Sequence, residues 1–293
     1  MRKCYGGFEN IGATVDDCKN FRNRINSYIG EYDADMVINR MTDKKEYLAD
    51  YSFEYSVDDD KRLTGLFWAD GLCKLNFMEF GDVISFDATF KTNRYKMVFV
   101  PFLGIDNHCR NVTLGAGLLS SESIESYKWL LNSFVKSFRR QPKVVVTDQD
   151  PAMKQAIEEV FSTSRHRLCM CHIMKKVADK VSNSQLTLVE FMNHFDGAME
   201  VQRLNHRKND HISRYTEPAN WSETTLEKDA AKIYTRSIFF DQQLEIYGTI
   251  SECLPMDTKV EGPQIRILLK DFKAHGDGLL EVWFKNLEND VTA

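Results

Sequence analysis

Residues 82 to 93, DVISFDATFKTN, decide how this chain is read. Val83, Ile84 and Phe86 favour a strand, because branched and aromatic side chains fit a pleated, half-buried surface. Asp87 follows at the point where that strand should be most buried. A buried anion without a partner is costly, so an aspartate there needs a cation, a hydrogen-bond network or a raised pKa.

The neighbouring segments supply the setting. Residues 82–90, 96–105 and 110–119 are three strand-like runs joined by the short polar links KTNR and DNHCR, the pattern of an antiparallel meander. A helix follows, with Ile124, Tyr127, Leu130, Leu131, Phe134, Val135 and Phe138 on one apolar face. KVVVTD at 143–148 reads as a strand buried on both sides. Asp150 then caps a helix whose first turn holds Pro151 and whose Met153, Ile157, Val160 and Phe161 face inward. RHRLCMCHI closes the set as a fifth strand leading into MKKVADKV. Strand, strand, strand, helix, strand, helix, strand, helix predicts an α/β (α+β) fold, a mixed five-stranded sheet flanked by helices, because parallel strands need helical crossovers. That is the order of a ribonuclease-H-like sheet.

In this layout Asp87 lies on the first strand and Asp148 ends the fourth, its expected neighbour. Facing carboxylates are hard oxygen ligands suited to magnesium, and a two-metal site of this kind serves phosphodiester chemistry. Two other motifs invite metal readings. Asp58, Asp59 and Asp60 fit a solvated turn better than a calcium loop, whose glycine and ligand ladder are missing. Cys169, Cys171 and His172 offer thiolate and imidazole, yet a structural zinc site wants four ligands; a packed strand end is the competing reading.

Away from the sheet, helices are expected over 14–29, with Thr14 as N-cap and Cys18, Phe21, Ile25, Tyr28 and Ile29 on one face, and over 35–48. Tyr51, Phe53, Tyr55 and Val57 alternate before the aspartates, and the run resumes at Leu63, as in a hairpin. Leu188, Phe191, Phe195, Ala198 and Met199 mark a further helix. The basic cluster of Arg203, His206, Arg207, Lys208, His211 and Arg214 reads as a solvated helix end or a phosphate-contacting patch. TTLEKDAAKIYTRSIFFDQQLEI is expected as one helix, with Leu226, Ile233, Tyr234 and Leu244 apolar, and QIRILLKDF with GLLEVWFKNL as a hairpin.

Composition narrows the function. The chain has 293 residues, 43% of them hydrophobic, enough for a substantial core. Seven scattered cysteines without a CxxC pair point to a reducing compartment rather than a disulfide framework. No apolar run reaches membrane-spanning length and the first residues lack a secretory signal, so an intracellular protein without a membrane partner is expected. The net charge of −5 gives no electrostatic reason for tight, sequence-independent nucleic-acid binding.

Five stretches, FGDVISFDATFKTNRYKMVFVPFLGIDNH, VVVTDQDPAMKQAIEEVF, RHRLCMCHIMKK, TLVEFMNHFDGAMEVQR and LEKDAAKIYTRSIFFDQQLEI, resemble the plant far-red-impaired-response family, which derives from Mutator-like (MULE) transposases. The resemblance implies a transposase-derived domain of ribonuclease-H type in a nuclear, DNA-linked regulator of transcription, some members acting in light signalling. Asp87 and Asp148 match the first two acids of the family's Asp-Asp-Glu set, and Cys169 with His172 matches its Cys-x-x-His element. In the family a long helical segment then supplies the third acid. Here MKKVADKVSNS passes almost directly into LTLVEF, so that acid is expected to be missing. Glu190 and Glu200 lie on the helix beyond it and are not expected to substitute.

The resemblance therefore implies a degenerate domain rather than an enzyme, with Asp87 and Asp148 a vestigial magnesium site and no resident cofactor. Zinc is expected only in the fingers that flank this region in full-length relatives. DNA is a partner of those relatives and is expected to bind weakly or not at all here, homo- or heterodimers are expected, and no small-molecule substrate is. The expected layout is a helical and hairpin region at 1–80, the ribonuclease-H-like domain at 81–182, helices at 184–251 and a hairpin at 252–293. The rival readings are an active metal-dependent transposase or nuclease and a non-functional gene fragment.

Overall fold

The computed structural model describes residues 14–88, 93–168, 186–261, 264–273 and 278–285. These divide into two units: residues up to 106 with 110–205, and residues 107–109 with those from 206 onward.

The first unit is built on a seven-stranded mixed sheet. Its strands are β1 (Ser52–Val57), β2 (Leu63–Ala69), β3 (Val83–Phe86), β4 (Val98–Ile105), β5 (Asn111–Leu119), β6 (Val144–Thr147) and β7 (Arg165–Leu168). They lie in the order β1-β2-β5-β4-β3-β6-β7. The five strands β5-β4-β3-β6-β7 carry the expected arrangement: β3, β4 and β5 pair antiparallel, while β6 lies parallel to β3 and β7 parallel to β6. The sheet is wider than expected because the β1–β2 hairpin joins its edge, Gly65 to Trp68 pairing with Leu119 to Ala116 of β5. Asp58 and Asp60 at the hairpin turn pair with Arg62, which makes that turn the solvated one expected.

Helices cover both faces. On one side α3 (Ile124–Phe138) and α4 (Pro151–Val160) are the crossovers that make β6 and β7 parallel. Phe134 of α3 meets the rings of Phe67, Phe77, Phe102, Phe138 and Phe161 at centroid separations of 4.4 to 6.4 Å. A Cβ on Gly117 of β5 would lie 2.4 Å from Leu130, so the missing side chain lets α3 approach the sheet. On the other side Phe191 and Phe195 of α5 (Leu188–Tyr215) pack on Phe99 and Trp68. Phe67 and Trp68 point to opposite faces because successive strand residues alternate.

Several elements differ from the sequence reading. The two expected N-terminal helices are one, α1 (Val15–Tyr47), begun by a capping box between Thr14 and Asp17. No proline interrupts it, and the single Gly30 costs only about 1 kcal/mol. Phe21, expected on a buried face, is 65% exposed. A short helix, α2 (Gly71–Phe80), capped by Asp70, was not read from the sequence. β6 is covered less than a strand buried on both sides: Val145 and Thr147 are buried, Val144 and Val146 only half so.

α5 begins with an unusual anchor. Asp33, buried in α1, accepts hydrogen bonds from the backbone N–H groups of Leu188 (2.5 Å) and Val189 (2.9 Å). Thr187 and Glu190 add a reciprocal capping box, and Arg94 N–H donates to the Leu186 carbonyl. Donors at a helix N-terminus have no partner inside the helix, so these acceptors fix where α5 starts.

In the second unit the expected single helix is two, α6 (Thr225–Ile233) and α7 (Arg236–Glu252), divided where Tyr234 and Thr235 turn extended. Arg236 N–H donates to the Ser213 hydroxyl and Thr235 Oγ1 to the Asn107 carbonyl, which holds the restart in place. Leu226, Ile233, Tyr234 and Leu244 are exposed; Ala230, Phe239 and Ile246 form the small core instead. Glu227 is buried and accepts from the backbone of Trp221 and Ser222, the Ser222 hydroxyl and Gln243 Nε2. Burial pushes its carboxyl up, but those bonds prevail and hold it down at about 2. The expected hairpin is β9 (Gln264–Asp271) with β10 (Leu279–Lys285), and β8 (Cys253–Glu261) adds a third antiparallel strand.

Candidate functional site

The site is an edge where two parallel strands end. β3 runs in register with β6, Val83 beside Val144, Ile84 beside Val145 and Ser85 beside Val146. Two further steps along that register bring Asp87 level with Asp148, each one residue beyond its strand. Neighbouring strands lie about 4.8 Å apart, so this register, continued past its last pair, would set the two backbones at Asp87 and Asp148 at about that separation. Ile84 and Phe86 are buried below Asp87, and Val145 and Thr147 below Asp148, which roots both strand ends in the core.

Local hydrogen bonds orient the acids. Asp87 Oδ1 accepts from the Ala88 N–H (2.8 Å) and Asp148 Oδ1 from the Asp150 N–H (3.1 Å). Asp150 serves the next helix as expected, its Oδ1 accepting from the Met153 N–H at 2.6 Å with Pro151 in the first turn. Thr147 Oγ1 bridges the Asp148 carbonyl (3.0 Å) and His166 Nε2 of β7 (2.8 Å). Burial, and then the charge of Lys154, push the His166 pKa down against the pull of Glu158.

Two residues here were not singled out from the sequence. His166 is one. The other is Glu122, just before α3, whose Oε1 accepts from the Tyr127 hydroxyl at 3.2 Å. Burial pushes the Glu122 carboxyl up; the tyrosine bond opposes this, and the charges of Asp150 and Asp148 reinforce it. Glu122 was hidden in SSES, which reads as a cap cluster, and Ser123 does cap α3.

Of the other candidates, Glu190 is committed to the cap of α5, and Glu200 lines a cavity on the α5 face of the sheet with Trp68 and Arg203. Cys169 and His172 lie outside the described residues. Arg203, from the basic cluster, is held by Asp70 at 2.6 Å and is not a free phosphate contact.

Chemically, Asp87 and Asp148 offer hard oxygen donors suited to magnesium. Fixing two ions for an in-line displacement takes more ligands than this pair supplies. Among the described residues no group of three or more His, Cys, Asp or Glu side chains is placed to hold a metal ion, and none of their helices is long and apolar enough to cross a membrane.

Comparison with known proteins agrees with the strand order. The MULE transposase domain family matches residues 83–176, the stretch that starts at β3 and carries both aspartates. FAR1-RELATED SEQUENCE 5 of Arabidopsis thaliana is 32% identical over 196 residues, 66% of this chain and 25% of its own length. FAR-RED IMPAIRED RESPONSE 1 from the same plant is 29% identical over 186 residues, 62% of this chain and 22% of its own. FAR1-RELATED SEQUENCE 6 is 30% identical over 206 residues, 63% and 27% respectively. The chain thus spans about a quarter of the length of the curated relatives it matches.

Proposed function

We propose, from the premise that this chain is a MULE-transposase-derived relative of the plant far-red-impaired-response proteins, that it takes part in nuclear regulation of transcription without cutting DNA. One observation carries the reading. The strand edge presents Asp87 and Asp148, while the glutamates beyond the expected family insertion are occupied elsewhere, Glu190 in a helix cap and Glu200 at a separate cavity. An in-line displacement loses most of its advantage when the reacting groups are not rigidly positioned.

Without catalysis, the domain acts by association. Leu226, Ile233, Phe240 and Leu244 are exposed on α6 and α7, which supports contact with a second copy or a relative. The net charge of −5 supports an indirect link to DNA through such partners. The printed name of one relative, FAR-RED IMPAIRED RESPONSE 1, suggests light response as the process served.

A second reading has its own observation. The charges of Asp150 and Asp148 reach Glu122 and help hold its carboxyl protonated, although among the described residues these acids do not form a group placed to hold a metal ion. Residual metal-dependent nuclease chemistry would require Glu122 to move in beside Asp87 and Asp148 in the place of the missing acid.

Tethering separates the readings. Fused to a heterologous DNA-binding domain at a reporter promoter in plant cells, the chain should change reporter output, and the double variant Asp87→Asn/Asp148→Asn should do so equally. Unchanged output would overturn the regulatory reading. Output that changes only with both aspartates intact would favour metal-dependent chemistry.

A further inference from the structure

The second unit carries two unsatisfied faces of opposite charge. One is the part of α5 from residue 206 on. Arg207, His211 and Arg214 recur at intervals of four and three and so share one side of the helix, with Lys208 and Tyr215 next to them. All five are exposed, and the Tyr215 ring lies 4.8 Å from that of His211. Asp210, the one acid in residues 206–215, bonds the buried His108 at 2.9 Å and lies 3.5 Å from His206. Arg207, Lys208 and Arg214 therefore have no ion-pair partner among the described residues.

The other face is on α7. Phe240, Leu244 and Tyr247 follow helical spacing and are 44–65% exposed. The exposed Trp221 extends this patch, meeting the Tyr247 ring at 5.9 Å. Asp241 and Glu245 are exposed beside it. Like charges four residues apart on a helix repel, and neither acid makes a hydrogen bond or ion pair among the described residues. The charge of Glu245 reaches Lys273, which Glu252 already holds.

Charge and area identify the occupant. Residues 206–215 carry three Lys and Arg against one Asp, and residues 216–252 carry three against seven Asp and Glu. The basic face of α5 fits what α7 presents, and the acidic, apolar face of α7 fits what α5 presents. One unit thus holds both halves of a self-complementary contact, which a two-fold axis satisfies twice. The two faces leave on the order of 1,000 Å² of side chain in water per copy, against the ~800 Å² that each partner gives to an interface of standard size. A nucleic acid fits only one of them, because phosphates that match α5 meet the surplus acid of residues 216–252.

We infer that the chain forms a two-fold dimer in which the basic face of α5 in one copy lies on the Phe240 and Leu244 face of α7 in the other, with Arg207 and Lys208 opposite Asp241 and Glu245. The inference rests on the association reading above and adds the two faces that meet.

Sedimentation equilibrium of the full chain provides the test. Wild type should be dimeric at micromolar concentration and dissociate as salt rises. Arg207→Glu/Lys208→Glu and Asp241→Lys/Glu245→Lys should each associate about a hundredfold more weakly, since like charges then face each other. Mixed in equal amounts, the two variants should regain the wild-type dimer, because each offers the other an opposite charge. Should a reversal variant fail to fold, Asp241→Asn/Glu245→Gln removes charge without adding any and should weaken the dimer about tenfold. A monomeric wild type, variants that dimerise like wild type, or a mixture that stays monomeric would overturn the inference. The tethered reporter is read separately: output that changes without this dimer removes the contact and leaves the regulatory reading standing.

Discussion

Phe134→Ala should lower the unfolding free energy of the first unit by about 3–5 kcal/mol, the usual cost of deleting a fully buried aromatic ring. Phe134 is 0% exposed and touches five other rings from β2, α2, β4, its own helix and the residue that ends α4. Those neighbours come from elements far apart in the chain, so they cannot all close on the void together. A domain is stable by roughly 5–15 kcal/mol, which makes this a large share of the total. The check is the urea midpoint of the full chain, with Phe134→Leu as a partner variant that fills most of the space. Phe134→Leu should cost about half as much or less. A loss below about 1 kcal/mol for the alanine variant would mean that α3 is not the keystone of this face.

Asp33→Ala should cost about 2–3 kcal/mol, because it strips two backbone donors of α5 of their acceptor in a buried position. The bonds join residues 155 and 156 positions apart, so the loss is long-range rather than a weakened local cap. A spectroscopic consequence follows. Burial, and then the hydrogen bond and charge of Asp33, push the Tyr95 phenol up to about 12. Removing Asp33 should bring it back toward the ordinary tyrosine value, visible in an ultraviolet titration. Asp33→Asn keeps an acceptor and should lose less stability than Asp33→Ala. Equal stability of Asp33→Ala and wild type would show that the Thr187–Glu190 box alone suffices to start α5.

How much of this was legible in the sequence depends on how local the cause was. The meander of β3, β4 and β5 and the buried faces of α3 and α4 follow from periodicity, and Asp150 with Pro151 announces its helix start by residue type. The edge pairing of β2 with β5 does not, because nothing within the hairpin states which strand it will meet. The break between α6 and α7 was hidden for a similar reason: Tyr234 and Thr235 look helical, and the contacts that turn the backbone, to Asn107 and Ser213, come from distant segments. The exposed apolar residues of α6 and α7 were misplaced because periodicity finds an apolar face whether or not anything covers it.

The candidate site divides the same way. Asp87 stands out as an acid in an apolar run, and the strand order brings it to Asp148. Glu122 and His166 carry no such contrast with their neighbours: His166 becomes visible only once β7 lies beside β6 and its ring meets Thr147, and Glu122 only through its contact with Tyr127. The cavity on the α5 face was beyond reach, since Asp70 and Arg203, which line it, are 133 positions apart.

The central proposal is that the aspartate edge of this sheet performs no phosphodiester chemistry. Incubating the purified full chain with supercoiled and terminal-repeat DNA in magnesium or manganese tests it most directly. The account predicts no cleavage above background, and no difference between wild type and Asp87→Asn, Asp148→Asn or Glu122→Gln. Metal-dependent nicking that disappears in all three variants would contradict it and make Glu122 the third acid.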